Sequence, residues 1–498
     1  MRITNLLTIA LLFASSSLLA QNKEKPEKQG RDGRYDAKAE QAYYKLEAYD
    51  IPPGIVLEAG GLEVLPDASV AVSTRRGDIY RVENALAPNI ADAKFKLFAG
   101  GLHEVLGLAW KDGALYATQR GELTRLKDED GDGRADDFAT VADGWEIDGD
   151  YHEYAFGSKF DKDGNQWMVL CLTGSFSSKN KFRGWCVKVT PDGRLLPTCS
   201  GVRSPGGIGM NDKGDMFYTD NQGPWNGTCG LKHLKPGGFM GHPDGNKWFT
   251  PEIGDAPPAP KSGSRIVVEQ ERVPQLVATA ILFPYDKMGK SASGIATDTT
   301  GKFGPFQGQM FVGDQTHSTV MRCFLEQVDG QYQGVCIPFH EGIGSGTLSL
   351  NFAPDGTLLV GGTNRGWGSR GSKPFSLDRI RWTGETPFEI HEMRAKPDGF
   401  ELTFTQPVDK ATVEDPKSYD LLSYCYIYQS SYGSPEVDHT RPTILTAKAG
   451  ADGRSVRLTI NGLQPGHVHE LHCDGVKTAD GKKLLHPDAY YTLNRIPK

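Results

Sequence analysis

The residues best suited to chemistry fall into two groups. The first is a compact acidic run, Asp128-Glu129-Asp130-Gly131-Asp132-Gly133-Arg134-Ala135-Asp136. Asp128, Asp130, Asp132 and Asp136 stand at positions 1, 3, 5 and 9, with Gly133 at position 6. That spacing wraps hard oxygen ligands around one Ca2+, the glycine permitting the sharp turn. Position 12 is Ala139 rather than the closing Glu of an EF-hand, so a shorter, structural calcium loop is expected. The second group is scattered: His103 and Glu104; Asp150, His152 and Glu153; Arg203; Asn221, Gln222 and Trp225; Asp314 and His317; Arg365, Trp367 and Arg370. Imidazole is a proton acceptor near neutral pH, guanidinium a donor to developing negative charge, and indole a stacking surface. Far apart in sequence, they act together only if the fold brings them to one place.

A repeat supplies such a fold. The segments LPDASVAVSTRRGDIYRV, WKDGALYATQRGELTRL, FDKDGNQWMVLCLTG, MNDKGDMFYTDNQG, FQGQMFVGDQTHSTVMRC and FAPDGTLLVGGTNRGW each read strand, Asp/Gly turn, strand. Their turns lie near Asp67, Asp112, Asp163, Lys213, Gly308 and Asp355, at spacings of 45, 51, 50, 95 and 47 residues. Such a period predicts four-stranded blades of an all-β, six-bladed β-propeller over residues 46–385. The double spacing holds a Pro-rich stretch, TPEIGDAPPAPKSG, read as an insertion between blades four and five. In a propeller the residues before each blade's first turn, and the loops between its middle strands, gather around one mouth of the central channel. The second group of residues occupies those positions, which predicts a funnel for a carbohydrate or other small polar molecule.

Beyond residue 385 the pattern changes to short strands alternating at period two between Gly/Pro turns, FEIHEMRAKPDGFELTFTQPV through ILTAKAGADGRSVRLTINGLQPGHVHELHC. Residues 386–498 are expected to form a small Ig-like β-sandwich that packs or spaces rather than catalyses. At the other end, Arg2, the apolar Leu6–Phe13 run and the Ser-rich stretch to Ala20 have the layout of a secretory signal peptide. Cleavage near Ala20 delivers a periplasmic or secreted chain, and residues 21–45 read as a charged linker. No later stretch has the ~18 consecutive apolar residues of a membrane span. With Lys+Arg 55 against Asp+Glu 62 and no long basic run, nucleic acid is a poor partner.

Eight cysteines in an exported chain are expected to be largely oxidised. Two hairpins argue for particular bridges. The turn at Pro191–Arg194 opposes Cys186 with Cys199, and the turn at Val328–Gln331 opposes Cys323 with Cys336, both within disulfide reach across a strand pair.

Three segments together, Cys199-Ser-Gly-Val-Arg203-Ser-Pro-Gly-Gly-Ile, Phe217-Tyr-Thr-Asp-Asn-Gln-Gly223-Pro224 and Leu234-Lys-Pro-Gly-Gly-Phe-Met-Gly-His-Pro243, resemble the soluble quinoprotein glucose/sorbosone dehydrogenases. The resemblance spans roughly residues 50–385. It implies oxidation of an aldose or polyol hydroxyl with pyrroloquinoline quinone. His152 would then be general base, Arg203 would stabilise charge on the quinone oxygen, and His103 would face the sugar. The carbonyls of Gly223 and Pro224 would hold a calcium that orients the cofactor. Two of that family's cations are replaced. Asp314-Gln-Thr-His317 follows the Phe-Val-Gly strand where a Lys is the pattern, and Gly342-Ile-Gly-Ser-Gly-Thr stands where an Arg is the pattern. Arg365 and Arg370 are the cations able to compensate. The chain has no Cys-x-x-Cys-His haem motif, so a separate electron acceptor such as a cytochrome is implied.

Two other readings remain open on sequence. His103, His152 and His317 from three blades can hold a divalent transition metal for a carbohydrate lyase or hydrolase. Alternatively the propeller binds a glycan or protein without catalysis.

Overall fold

The computed structural model describes residues 35–498, so the expected signal peptide lies outside the described residues. Six antiparallel sheets follow one another along the chain. Blade one is Ala59–Val64, Val70–Thr74, Ile79–Glu83 and Lys94–Ala99; blade two is Leu108–Lys111, Ala114–Thr118, Leu123–Lys127 and Asp137–Ala142. Blade three is Ala155–Phe160, Gln166–Leu170, Trp185–Val189 and Leu195–Ser200; blade four is Pro205–Met210, Met216–Asp220, Cys229–His233 and Ile281–Phe283. Blade five is Ala292–Thr297, Met310–Asp314, Thr319–Val328 and Gln331–His340. Blade six takes Thr347–Phe352, Leu358–Thr363 and Phe375–Trp382 from its own repeat and its outer strand, Tyr44–Ala48, from the other end of the chain. The all-β propeller expected from the repeat is the fold found.

Each second strand is buried along its whole length in blades one, three, four, five and six, because neighbouring blades cover both faces. That is why these strands read as continuous apolar runs rather than alternating ones. The first strands ring the axis, and there the backbones nearly touch. A Cβ on Gly107 would lie 1.5 Å from Gly157 O, one on Gly206 2.0 Å from Ala292 O, and one on Gly60 2.2 Å from Val105 O. Glycine at these positions is a requirement of the ring.

Where the ring closes, Arg379 is fully buried and joins three segments. Its Nε pairs with Glu47 at 3.1 Å, while Nη1 donates to the carbonyls of Ala85 and Ala87. The charged-linker reading of residues 21–45 is therefore corrected for its described part. Ala37–Glu40 is a helical turn and Tyr44 opens the closing strand. Glu40 is buried because its charge is matched by histidines from remote parts of the chain. His486 Nε2 lies 3.0 Å from Glu40 and His486 Nδ1 2.6 Å from Glu389, with His340 3.6 Å from Glu40.

One further placement differs from the sequence reading. The Pro-rich insertion lies inside blade four, between its third and fourth strands, not between blades four and five. Blade four thus has a distant fourth strand, which the spacing of turns cannot show. The acidic run lies within blade two, on the hairpin joining its third and fourth strands. The two cysteine pairs stand in the expected register, Cys186 opposite Cys199 and Cys323 opposite Cys336. No disulfide joins either pair, which corrects that expectation: Cys199 Sγ donates to Lys235 O at 3.1 Å, and Cys336 Sγ lies 3.8 Å from the carbonyls of Leu282 and Tyr490.

Residues beyond the propeller form a two-sheet sandwich. One sheet is Ile390–Lys396, Gly399–Phe404, Ser455–Asn461 and Thr443–Ala449. The other is Asp488–Leu493, His467–His472, Asp420–Tyr426 and Glu436–Thr440. The second sheet continues blade five: Asp488–Leu493 pairs with Gln331–His340, Val335 opposite Tyr491. Phe324, Val335 and Ile337 of blade five share a core with Phe400, Leu402, Leu458 and Leu471. Arg322, buried in blade five, donates to the carbonyls of Ile390 and His391 and lies 3.9 Å from the centre of the Phe306 ring. Among the described residues no helix is long and apolar enough to cross a membrane.

The His486 cluster yields a stability prediction. Burial opposes the charge on His486, but Glu389 and Glu40 outweigh it and hold its pKa up at about 9 from 6.5. His486→Ala leaves two buried carboxylates without their cation, an expected loss of about 3–5 kcal/mol in unfolding free energy at pH 7. Because the folded-state value is the higher one, the stabilisation is complete below pH 6.5 and is lost as pH rises through 9. Melting temperatures of wild type and variant should differ most near pH 6.5 and converge above pH 9; a constant difference across that range contradicts the assignment.

Candidate functional site

One mouth of the channel opens into a cavity of about 310 Å3 lined by all six blades. Arg75 enters from blade one and Leu106 from the approach to blade two. Blade three supplies Tyr151, His152, Tyr154, Phe156 and Phe176; blade four supplies Arg203, Asn221 and Gln222. Lys290 and Gln315 come from blade five, Arg365 and Trp367 from blade six, and Tyr432 from the sandwich. None of the described residues lining the cavity is an aspartate or a glutamate, whereas three arginines and a lysine do line it.

His152 sits on a loop pinned from behind by buried guanidinium groups. Arg183 Nη1 donates to the carbonyls of Glu153 and Tyr154 at 3.0 and 2.9 Å, and its Nε to Glu146 O at 2.9 Å. Arg120 donates to the carbonyls of Asp150, at 2.7 Å, and Tyr151. The His152 ring meets Tyr151 and Tyr154 edge-on. Burial lowers its pKa below 6.5; Asp150 opposes this, and the nearby Arg203 and Arg120 add smaller lowering effects. The imidazole is consequently neutral at pH 7, half-exposed, and able to accept a proton.

Arg203 stands across the same space. Its Nε donates to Ser175 O at 3.1 Å and its Nη1 to the carbonyls of Asn221 and Gln222. No carboxylate pairs with it among the described residues, whereas Arg75 pairs with Glu104, Arg365 with Glu58 and Lys290 with Asp286. Its guanidinium lies against Phe176 and Tyr432, 5.8 and 5.3 Å from their ring centres. The chain turn beside it is held by Asp220, fully buried, which accepts from Ser204 N at 2.8 Å and pairs with Lys232 at 3.0 Å. A Cβ on Gly223 would lie 2.0 Å from Arg203 Cζ, so Gly223 makes room for the guanidinium.

The sequence-derived residues divide accordingly. His152, Arg203, Gln222, Arg365 and Trp367 meet in the funnel, Trp367 donating to Thr316 Oγ1 at 2.7 Å. Glu104 and Glu153 stand behind it as anchors. Glu104 joins Arg75 to Arg120, and Glu153 accepts from Thr173 Oγ1 and Asp148 N. His103 lines a separate groove with Gln119 and Trp145. Trp225 packs on Tyr428 in another cleft, and Arg370 pairs with Glu341 outside the cavity. His317 is buried beside Asp286, 3.9 Å away. His103, His152 and His317 are not brought together, which removes the three-histidine metal site: their blades agree, but their side chains face different spaces.

Of the two carbonyls expected to hold a calcium, that of Gly223 is already engaged. Gly223 O accepts from Asn226 N at 3.0 Å and from Gly433 N at 3.1 Å, so both its lone pairs are used. With three arginines and a lysine and no carboxylate among the described residues that line it, the funnel suits an anion. The acidic loop does assemble oxygens: ligand atoms of Asp128, Asp130 and Asp136 lie within 4.8 Å of one another. Asp132 is turned to accept from Arg134 N at 2.8 Å and stands outside that trio.

Sequence reasoning missed Arg75, Tyr151, Tyr154, Phe176, Lys290 and Tyr432. Arg75 and Lys290 follow the positional rule that found the others, since they flank a second and a first strand. Tyr432 carried no signal, because it arrives from the sandwich.

Among solved structures, a putative oxidoreductase (glucose dehydrogenase) from Thermus thermophilus aligns at 18% identity with TM-score 0.49, covering 68% of this chain and 99% of its own. The PQQ-bound form of an aldose sugar dehydrogenase from Streptomyces coelicolor aligns at 16% identity with TM-score 0.46, covering 70% and 100%. A Trichoderma reesei carbohydrate-active enzyme of family AA12 aligns at 12% identity with TM-score 0.46, covering 68% and 96%. No curated protein matches the sequence. The family model described as a domain of unknown function, DUF7133, matches residues 71–336, more than half of the chain, and the protein belongs to that family.

Proposed function

We propose that the protein is an exported oxidoreductase of the sugar-dehydrogenase type, acting on a carbohydrate hydroxyl with pyrroloquinoline quinone in the funnel. The observation that carries this reading is the pairing of a neutral His152 with a carboxylate-free cationic wall. A tricarboxylate cofactor requires cationic partners. Lys290, Arg365 and Arg75 would hold its carboxylates, offsetting the two cations that the sequence lacks by comparison with the quinoprotein dehydrogenases. The bound quinone would supply the two-electron acceptor for the hydride leaving the carbinol carbon. His152 takes the hydroxyl proton on its unprotonated ring nitrogen as the carbonyl forms. Arg203, held by three carbonyls and no carboxylate, directs its remaining N–H groups at developing negative charge. Phe176, Trp367 and Tyr432 present ring faces to the sugar at the rim. A separate acceptor, such as a cytochrome, then takes the electrons away.

The exposed aromatic rings also favour a second reading, glycan binding without turnover. Reconstitution distinguishes the two. With the quinone supplied, the first predicts dye reduction by at least one aldose of a sugar panel, falling about 10²–10⁴-fold in His152→Ala. Sugar binding with neither quinone binding nor turnover contradicts it. Because His152 titrates below 6.5, kcat/KM should be flat at pH 7 and fall only on further acidification, with the midpoint below that value.

We further propose a structural Ca2+ on the Asp128 loop. Calorimetric titration of chelator-treated protein should show calcium binding and a raised melting temperature, both lost in Asp128→Asn; absence of calcium binding in the wild type contradicts the site.

A further inference from the structure

Cys425, Asp438 and His467 stand on three adjacent strands of the sandwich, remote in sequence from one another. Tyr424 pairs with Val468 and Cys425 with Val437, which sets the three side chains at neighbouring positions. One ligand atom from each lies within 4.8 Å of the others. Cys425 is buried, Asp438 is exposed, and His467 lies between, so the trio has a dry end and an open end.

The histidine is set up as a ligand. His467 Nδ1 lies 3.2 Å from Pro465 O, a carbonyl that can only accept, so the ring proton sits on Nδ1. That leaves the lone pair on Nε2, which is buried and has no hydrogen-bond partner among the described residues. A backbone carbonyl fixing one nitrogen while the other is bare is the usual arrangement behind a metal-bound histidine. Asp438 is held in the left-handed region at φ 54°. Its Oδ2 accepts from Cys425 Sγ at 3.2 Å and pairs with Arg265 at 2.8 Å. Arg265 thus occupies the place of a cation, from the insertion of blade four.

We propose that Cys425, His467 and Asp438 bind a divalent transition ion of the zinc class. Thiolate, imidazole and carboxylate together are a zinc donor set, and three protein ligands leave a fourth position for water. Bond lengths of about 2.0–2.3 Å require the ligand atoms to close to roughly 3.5 Å of one another, a contraction of at most about 1.3 Å from the 4.8 Å within which they lie. On binding, the Cys425 S–H proton passes to solvent as the metal–sulfur bond forms, and Arg265 releases Asp438.

Cobalt(II) serves as the probe, titrated into the full chain under reducing conditions. The expected result is one equivalent bound, with a thiolate-to-cobalt charge-transfer absorption that zinc(II) bleaches. Cys425→Ser and His467→Ala should abolish that absorption, His472→Ala should keep it, and Arg265→Ala, which retains all three ligands, should bind several-fold more tightly. No charge-transfer absorption in either the wild type or Arg265→Ala overturns the proposal, as does an absorption unchanged in Cys425→Ser.

Discussion

The close approach of backbones around the propeller axis constrains everything above it. At Gly60, Gly107 and Gly206 there is no room for a Cβ before the carbonyl of the next blade. Six first strands therefore converge to a tight hub, and the loops leaving their ends have to splay outward. The funnel is the space those loops enclose. His152, Arg203 and Lys290, two or three residues before a first strand, line it, the hub fixing where each of those strands begins.

Loops so placed still have to be held, and here the chain uses buried charge satisfied by carbonyls. Arg183 gathers the loop of His152, and the Asp220–Lys232 pair fixes the turn that carries Arg203. Such groups are costly to bury unless hydrogen-bonded, and each is. The sandwich belongs to the same scheme. Its last strand extends blade five, Arg322 ties it to that blade, and its loop delivers Tyr432 to Arg203. A module expected only to pack or space thus completes the rim of the site.

Periodic features were legible in the sequence and pairwise ones were not. Asp/Gly turns at a fixed spacing gave six blades, because each blade needs the same hairpin. Strand register could be read across hairpins, as Cys186 opposite Cys199 shows, but the direction of a sulfur could not. The insertion was misplaced because the short strand Ile281–Phe283 follows a long excursion that no local pattern links to its partner. Positional recurrence found His152, Arg203, Gln222, Arg365 and Trp367. It also drew in His103 and His317, whose rings face other spaces, because a strand end fixes a residue's height and not its rotamer. Glu40 looked like linker charge, since its partners lie some 300 and 446 residues away.

A cationic funnel with no carboxylate among its described lining residues, governed by Arg203, is proposed to hold an anionic cofactor. It is tested most directly by titrating pyrroloquinoline quinone into the protein at low and high salt, alongside Arg203→Gln. Saturable one-to-one binding that weakens as salt rises, and is lost or severely weakened in the variant, is expected. Absence of binding to the wild type, or equal binding to the variant, would contradict it.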